Sequence, residues 1–357
     1  MNTTNDFICN PKLSQTEAAV LIDLGKPLQI IKLDVPSLRH GQVMVKMAYS
    51  GICHTQLLEV RGQRGPDRYL PHLLGHEGSG TIIEVGPGVK KVRKNDRVVV
   101  SWIKGNGLDA SSSIYGHPKG SVQCGAVGTF VRHAITCESR VTPIPDAMPL
   151  REASLLGCAV LTGSGIVNHV AEIKQESTVA IFGVGGIGLC VLLAARIKKP
   201  RMLIAVDLVR EKLSKARELG ATHLINAHDE HPLEGIMRLT QGIGADFVVE
   251  ATGNRGSMEK AFRSAKNFGG LCIIAGNLAH GERISIDPYD LIKGKRIVGT
   301  WGGEAKPDAD IPQYIDLFLK GELKLDALIS HEYSFHEINQ ALNDLEQGRV
   351  IRAIVKF

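Results

Sequence analysis

The stretch "VAIFGVGGIGLCVLLAARI" (residues 179–197) decides the fold. A run of apolar, β-prone residues ends at Phe182. Gly183, Gly185 and Gly188 follow at G-x-G-x-x-G spacing, with Gly186 and Ile187 between them. From Ile187 the apolar residues continue as a helix would need them. Glycines there allow a tight turn and let a pyrophosphate approach the backbone, where it meets a helix N-terminus. A glycine-rich turn alone is also a common plain connection. Here the required context surrounds it: a strand before, a helix after, and a second strand, "MLIAVD", ending in Asp207. An acidic residue about 20 positions past the glycines is placed to hold the adenosine ribose hydroxyls. The competing role for Asp207 is an N-cap for "LVREKLSK". A carboxylate at 207 followed by Leu208 rather than arginine favours NAD over NADP, with Arg210 as the one opposing feature.

Working outward, strand and helix keep alternating. "REKLSKARELG", "LIN", "EGIMRLTQG", "ADFVVEA", "SMEKAFRSAKN" and "LCIIAG" continue the pattern of a parallel sheet covered on both faces. We assign residues 160–301 to this doubly wound Rossmann domain. Residues 1–159 have another texture, with short strands such as "LQIIKLDV", "QVMVKMAYSGIC" and "DRVVVSW" broken by glycine and proline, as in an antiparallel barrel or sandwich. "DASSSIYG" (109–116) reads as a loop. Residues 302–357 carry the helix "PQYIDLFLKGEL" and a last strand, "IRAIVKF", expected to return to the first domain.

Bulk properties narrow the function. The chain has 357 residues, 43% of them hydrophobic and 22% charged, with a net charge of +5, which describes a globular chain with a large core. "KKVRK" (90–94) is its densest basic run and reads as a solvated turn, so a nucleic-acid partner is not expected. Neither is a membrane: the first ten residues lack the apolar core of a signal peptide, and "LCVLLAARI" is too short to span a bilayer. Seven cysteines at irregular spacings fit a reducing compartment, and we expect a cytoplasmic protein.

Three cysteine and histidine positions stand out: Cys53 in "GICHTQ" (51–56), His76 in "LLGHEGSG" (73–80) and Cys158 in "LLGCAVLTGSG" (155–165). Two cysteines and a histidine form a ligand set that suits zinc with an open fourth position, the catalytic arrangement. Buried free cysteines and hydrogen-bonded histidines are the ordinary alternative, and spacing alone does not join positions so far apart.

"GICHT", "GHEGSGTIIEVGPGVKKVRKNDRV", "GCAVLTGSG" and "FGVGGIG" occur in the order and approximate spacing of the zinc-dependent alcohol dehydrogenases, a family of the medium-chain dehydrogenase/reductase superfamily. The resemblance runs from about residue 16 to the C-terminus. It implies a GroES-like β-rich catalytic domain with a Rossmann-fold cofactor domain inserted into it. It also implies reversible hydride transfer between a small-molecule alcohol, primary or secondary, and NAD. Carried over by residue, Cys53, His76 and Cys158 resemble the catalytic zinc ligands, Glu77 a carboxylate near the metal, and Thr55 the hydroxyl bonded to the substrate. His54, Thr162, Lys212 and Arg352 fall on cofactor positions, Arg352 at the pyrophosphate, and Trp102 on a substrate-pocket position. The family also implies a dimer or tetramer, with "LCIIAG" through "RIVGTW" as the candidate edge.

This sequence departs from the family pattern in three places. The segment that holds four structural-zinc cysteines in many relatives is here "IKGNGLDASSSIYGHPKGSVQCG" (103–125), with Cys124 alone, so one zinc per chain is expected. The aspartate usual after the hydroxyl residue is Gln56, and the histidine that ends the proton relay is replaced by Leu58. Competing functions are a polyol, cyclitol or sugar dehydrogenase, a zinc-free quinone or enone reductase, and a non-catalytic nucleotide or redox sensor. The Cys/His set, Asp207 and Thr55 weigh against the last two.

Overall fold

Alternating apolar residues build the first sheets of the computed structural model, which describes residues 13–357; the N-terminal segment read above for a signal peptide lies outside them. In "QTEAAVL" and "QIIKLD" the residues from Ala18 to Leu21, together with Leu33, are fully buried, so both faces of the end of the first strand are covered. These two strands, β1 (Gln15–Leu21) and β2 (Gln29–Asp34), pair antiparallel. Then follow β3 (Gln42–Ile52), the short helix α1 (His54–Val60), β4 (His72–Leu73), β5 (Glu77–Val85) and β6 (Arg97–Ser101). The hairpin β7 (Ile114–His117) and β8 (Gly120–Gln123) comes next, then β9 (His133–Cys137) and β10 (Val141–Pro143).

That hairpin corrects the end of the expected loop at 109–116: residues 109–113 are irregular as read, but Ile114–Gly116 belong to β7. Strands β1, β2, β7, β8 and β4 close into a barrel. The physical reason is Tyr115, which is fully buried; its hydroxyl donates to the His133 carbonyl at 2.9 Å and accepts from the Ile135 N–H at 2.8 Å. One aromatic anchor, with Val122 opposite it, places the residues that follow the three serines in the barrel wall. Cys124 closes the segment, buried, with its thiol donating to the Ser113 carbonyl.

The second unit begins in helix α2 (Ala159–Gly165), a continuously buried segment. Its sheet consists of β11 (Thr178–Phe182), β12 (Met202–Asp207), β13 (His223–Asn226), β14 (Phe247–Glu250), β15 (Leu271–Ile274) and β16 (Arg296–Gly299). The six strands run parallel in the order β13-β12-β11-β14-β15-β16. Helices α3 (Gly186–Ile197), α4 (Arg210–Glu218), α5 (Pro232–Leu239) and α6 (Arg255–Ser264) supply the crossovers. The order reverses between β11 and β14, so the glycine turn after β11 sits at the switch point where such sheets bind ligands.

The chain then returns. Strand β17 (His331–Ser334) pairs parallel with β18 (Ala353–Lys356), and β18 pairs antiparallel with β3. They complete a seven-stranded sheet with the order β10-β6-β5-β3-β18-β17, in which β9 also pairs with β3. The two compact units are 1–158 with 306–315 and 329–357, and 159–305 with 316–328. Residues 302–305 and 316–328 thus cluster with the Rossmann unit, a finer division than the single C-terminal block 302–357.

Gly188 shows how tightly the glycine turn is built. A Cβ there would overlap the Gly183 carbonyl oxygen, which is backbone and cannot yield. Gly188→Ala is expected to destabilise the second unit by about 1–3 kcal/mol, read as a lower denaturant midpoint, together with weakened dinucleotide binding by titration.

Candidate metal centre

Helix α1 begins at Cys53, where β3 ends. His76 sits between β4 and β5, and Cys158 follows a tight turn of residues 154–157. The fold brings these three together: their ligand atoms all lie within 4.8 Å of one another. Cys53 and Cys158 are 7% and 5% exposed, so neither thiol competes with bulk water. Gly157 makes the approach of Cys158 possible, since a Cβ there would overlap the Val100 carbonyl and crowd the Glu77 side chain.

The electrostatics suit a cation. The Cys53 thiol is held well below its usual range, chiefly by a hydrogen bond from Cys158 and further by His76 and the Arg352 charge, against burial that pushes it up. A thiolate is the form that binds metal. His76 offers its Nε2, a buried atom gathered with the Cys53 and Cys158 sulfurs. Its Nδ1 is occupied by the Gln56 amide. A buried imidazole nitrogen aimed at two sulfurs, one of them acidified, is a donor set that fits zinc.

The other expected residues distribute as follows. Thr55 lies in the first turn of α1, its hydroxyl 3.8 Å from Cys53 Sγ, and His54 beside it is exposed. Trp102 packs edge-on to His76, with ring centroids 6.5 Å apart and planes at 69°. Glu77 is fully buried and forms an ion pair with Arg352, itself 4% exposed. Arg352 also donates to the Ile52 carbonyl at 3.0 Å. The resemblance placed this guanidinium at a pyrophosphate; within its own unit it is engaged by Glu77 and the backbone next to Cys53.

One residue escaped the sequence reading. Glu59 is half-buried in α1, and burial raises its carboxyl to about 7, opposed most by the charge of His76. It follows Thr55 by four positions, so the two share a helix face. That spacing was the available signal.

In the second unit, Gly183 adopts φ +84° and Gly185 caps α3. Gly186, Ile187 and Gly188 form the first turn of that helix, whose N–H groups have no intrahelical acceptor. Asp207 sits at the end of β12, accepting the Val184 N–H at 2.9 Å and the Val209 N–H at 3.0 Å. It ties the strand end to the glycine turn, and Val209 rather than Asp207 is the N-cap of α4. At the end of β14, buried Glu250 accepts the Thr252 N–H at 2.8 Å, and Thr252 in turn packs against Gly183. Thr162 is buried in α2, and Lys212 is half-buried in α4.

Comparison with known proteins agrees with this geometry. Residues 39–146 match the alcohol dehydrogenase GroES-like domain, and residues 186–320 match the zinc-binding dehydrogenase domain. The S-(hydroxymethyl)glutathione dehydrogenase of Synechocystis sp. is 31% identical over 96% of this chain and 100% of its own length. Benzyl alcohol dehydrogenase from Acinetobacter calcoaceticus superposes with a TM-score of 0.87 at 29% identity, covering 97% of this chain and 100% of that one. An alcohol dehydrogenase zinc-binding domain protein from Burkholderia ambifaria gives 0.88 at 29% identity, covering 96% and 99%. With both domain types matched and full-length relatives at this level of identity, the chain belongs to the zinc-dependent alcohol dehydrogenase family of the medium-chain dehydrogenases.

Proposed function

We propose that this chain interconverts a primary alcohol and its aldehyde with NAD, at a catalytic zinc held by Cys53, His76 and Cys158. The observation that carries the reading is the convergence of the three ligand atoms within 4.8 Å, a buried His76 Nε2 among them. Zinc held by these three residues would supply Lewis acidity toward the substrate hydroxyl. Thr55 accepts the alcohol proton at Oγ1 and passes its own on. Trp102 forms a wall beside His76, and Arg352 holds the Glu77 carboxylate at the base of the site. Relatives named for benzyl alcohol and S-(hydroxymethyl)glutathione favour a hydroxymethyl group as the reacting part of the substrate.

On the cofactor side we assign Gly183, Gly185, Gly186, Ile187 and Gly188 to the pyrophosphate, and Asp207 to the adenosine ribose. Thr162, Lys212 and His54 are further cofactor contacts. One zinc per chain is our reading, because Cys124, the lone cysteine of 103–125, is built into the barrel. Edge strand β16 leads to Trp301, which is 76% exposed, and we assign this edge to a homo-oligomer contact. No single helix among the described residues is long and apolar enough to cross a membrane. All six described cysteines are free, which supports the cytoplasm as the working compartment.

Three outcomes test the reading. Cys158→Ala is expected to lose both zinc, measured by elemental analysis, and turnover over a panel of alcohols, polyols and sugars; turnover by a zinc-free variant removes the metal from the mechanism. Asp207→Ala is expected to shift the NAD/NADP ratio of kcat/KM toward NADP by about tenfold or more, since losing a charge-assisted hydrogen bond is worth about 1.5–3 kcal/mol; an unchanged ratio separates Asp207 from the ribose. Trp301→Glu is expected to shift sedimentation toward monomer, and a mass unchanged from an oligomeric wild type assigns the contact elsewhere.

A further inference from the structure

Gln56 is the third residue of helix α1 and turns back on its start. The Cys53 N–H donates to Gln56 Oε1 at 3.0 Å, and the amide nitrogen of Gln56 lies against His76 Nδ1. With 1% of its surface exposed, the amide is committed to these two partners. A backbone N–H can only donate, so the amide oxygen must face Cys53 and its NH2 must face His76. An NH2 group also only donates. The contact is therefore satisfied when Nδ1 carries the lone pair, which in a neutral imidazole leaves the proton on Nε2.

Nε2 is the atom left for a metal. Binding there requires its lone pair, which moves the ring proton to Nδ1, directly against the amide NH2. The amide must then rotate so that Oε1 serves both N–H groups, or flip and abandon the start of α1. A carboxylate in this position meets no such conflict, because its two oxygens accept from both donors.

We propose that Gln56 is a positioning residue that holds His76 in the Nε2–H tautomer when the metal is absent, and so weakens zinc binding by Cys53, His76 and Cys158. In the zinc-bound protein the Nδ1–H donates to a neutral amide oxygen. The ring then gives less charge to the metal than it would beside a carboxylate, and the metal keeps more of its acidity. The inference rests on the zinc assignment made above.

Two measurements decide it. In metal-free wild-type protein labelled with ¹⁵N-histidine, with the His76 resonances assigned by their loss in His76→Asn, the ring is expected as the Nε2–H tautomer. A proton on Nδ1 in that state overturns the proposal. Zinc affinity by chelator competition is expected to be about 10- to 100-fold tighter in Gln56→Glu than in wild type, with the metal-free ring switched to Nδ1–H. Equal or weaker affinity overturns the proposal. Cys158→Ala separates the two levels: if it binds zinc as wild type does, the zinc assignment fails. If it loses zinc while Gln56→Glu changes nothing, that assignment stands and the role of Gln56 falls. Should Gln56→Glu not fold, the wild-type tautomer decides by itself.

Discussion

The buried ion pair between Glu77 and Arg352 ties the C-terminal return of the chain to the start of β5 within the first unit. Both side chains are buried, Glu77 completely; Glu77 opens β5, and Arg352 immediately precedes β18, far away in the sequence. Removing two charges from water costs several kcal/mol per ion, which only close pairing and further hydrogen bonds offset. Arg352 makes one such bond to the Ile52 carbonyl, and its charge also reaches the Cys53 sulfur. Strand β18 is thereby held against β3, at the point where β3 releases Cys53 into α1. A lone Glu77 or a lone Arg352 would leave an unpaired buried charge, at a cost of about 3–5 kcal/mol. The space for the pair is provided by Gly51, where a Cβ would crowd the Glu77 carboxylate.

That constraint explains why the three ligand positions work as a unit. Cys53 follows β3, His76 precedes β5, and the turn before Cys158 packs on Glu77 through Gly157. Each ligand is thus adjacent in the chain to a residue that touches the ion pair or its partners. The acidified Cys53 thiol and the buried Arg352 guanidinium belong to the same low-dielectric patch, where charges interact more strongly than at the surface.

How much was legible depended on whether a signal was local. The glycine turn, its flanking strand and helix, and the acidic end of β12 are fixed by neighbours in the chain, and their reading matches the parallel sheet observed. The β7–β8 hairpin was hidden because its strands have only four residues each and the first follows three serines. What makes it a strand is Tyr115 bonding to His133 and Ile135, a long-range contact. At the site, the identities of Cys53, His76 and Cys158 were visible, but their convergence came only from family resemblance. The partners of Arg352, and the neutral-range carboxyl of Glu59, had no local pattern to announce them.

By itself the sequence determined the residue types a metal and a dinucleotide require, the glycine-built turn, and the alternation that makes a Rossmann sheet, because period and turn chemistry act over a few residues. Tertiary structure alone decided that three distant ligands meet, that Arg352 faces Glu77, and that Gln56 presents its amide to His76. Strand pairing and burial set those distances, and hydrogen bonds in a dry interior then leave each atom a single role as donor or acceptor.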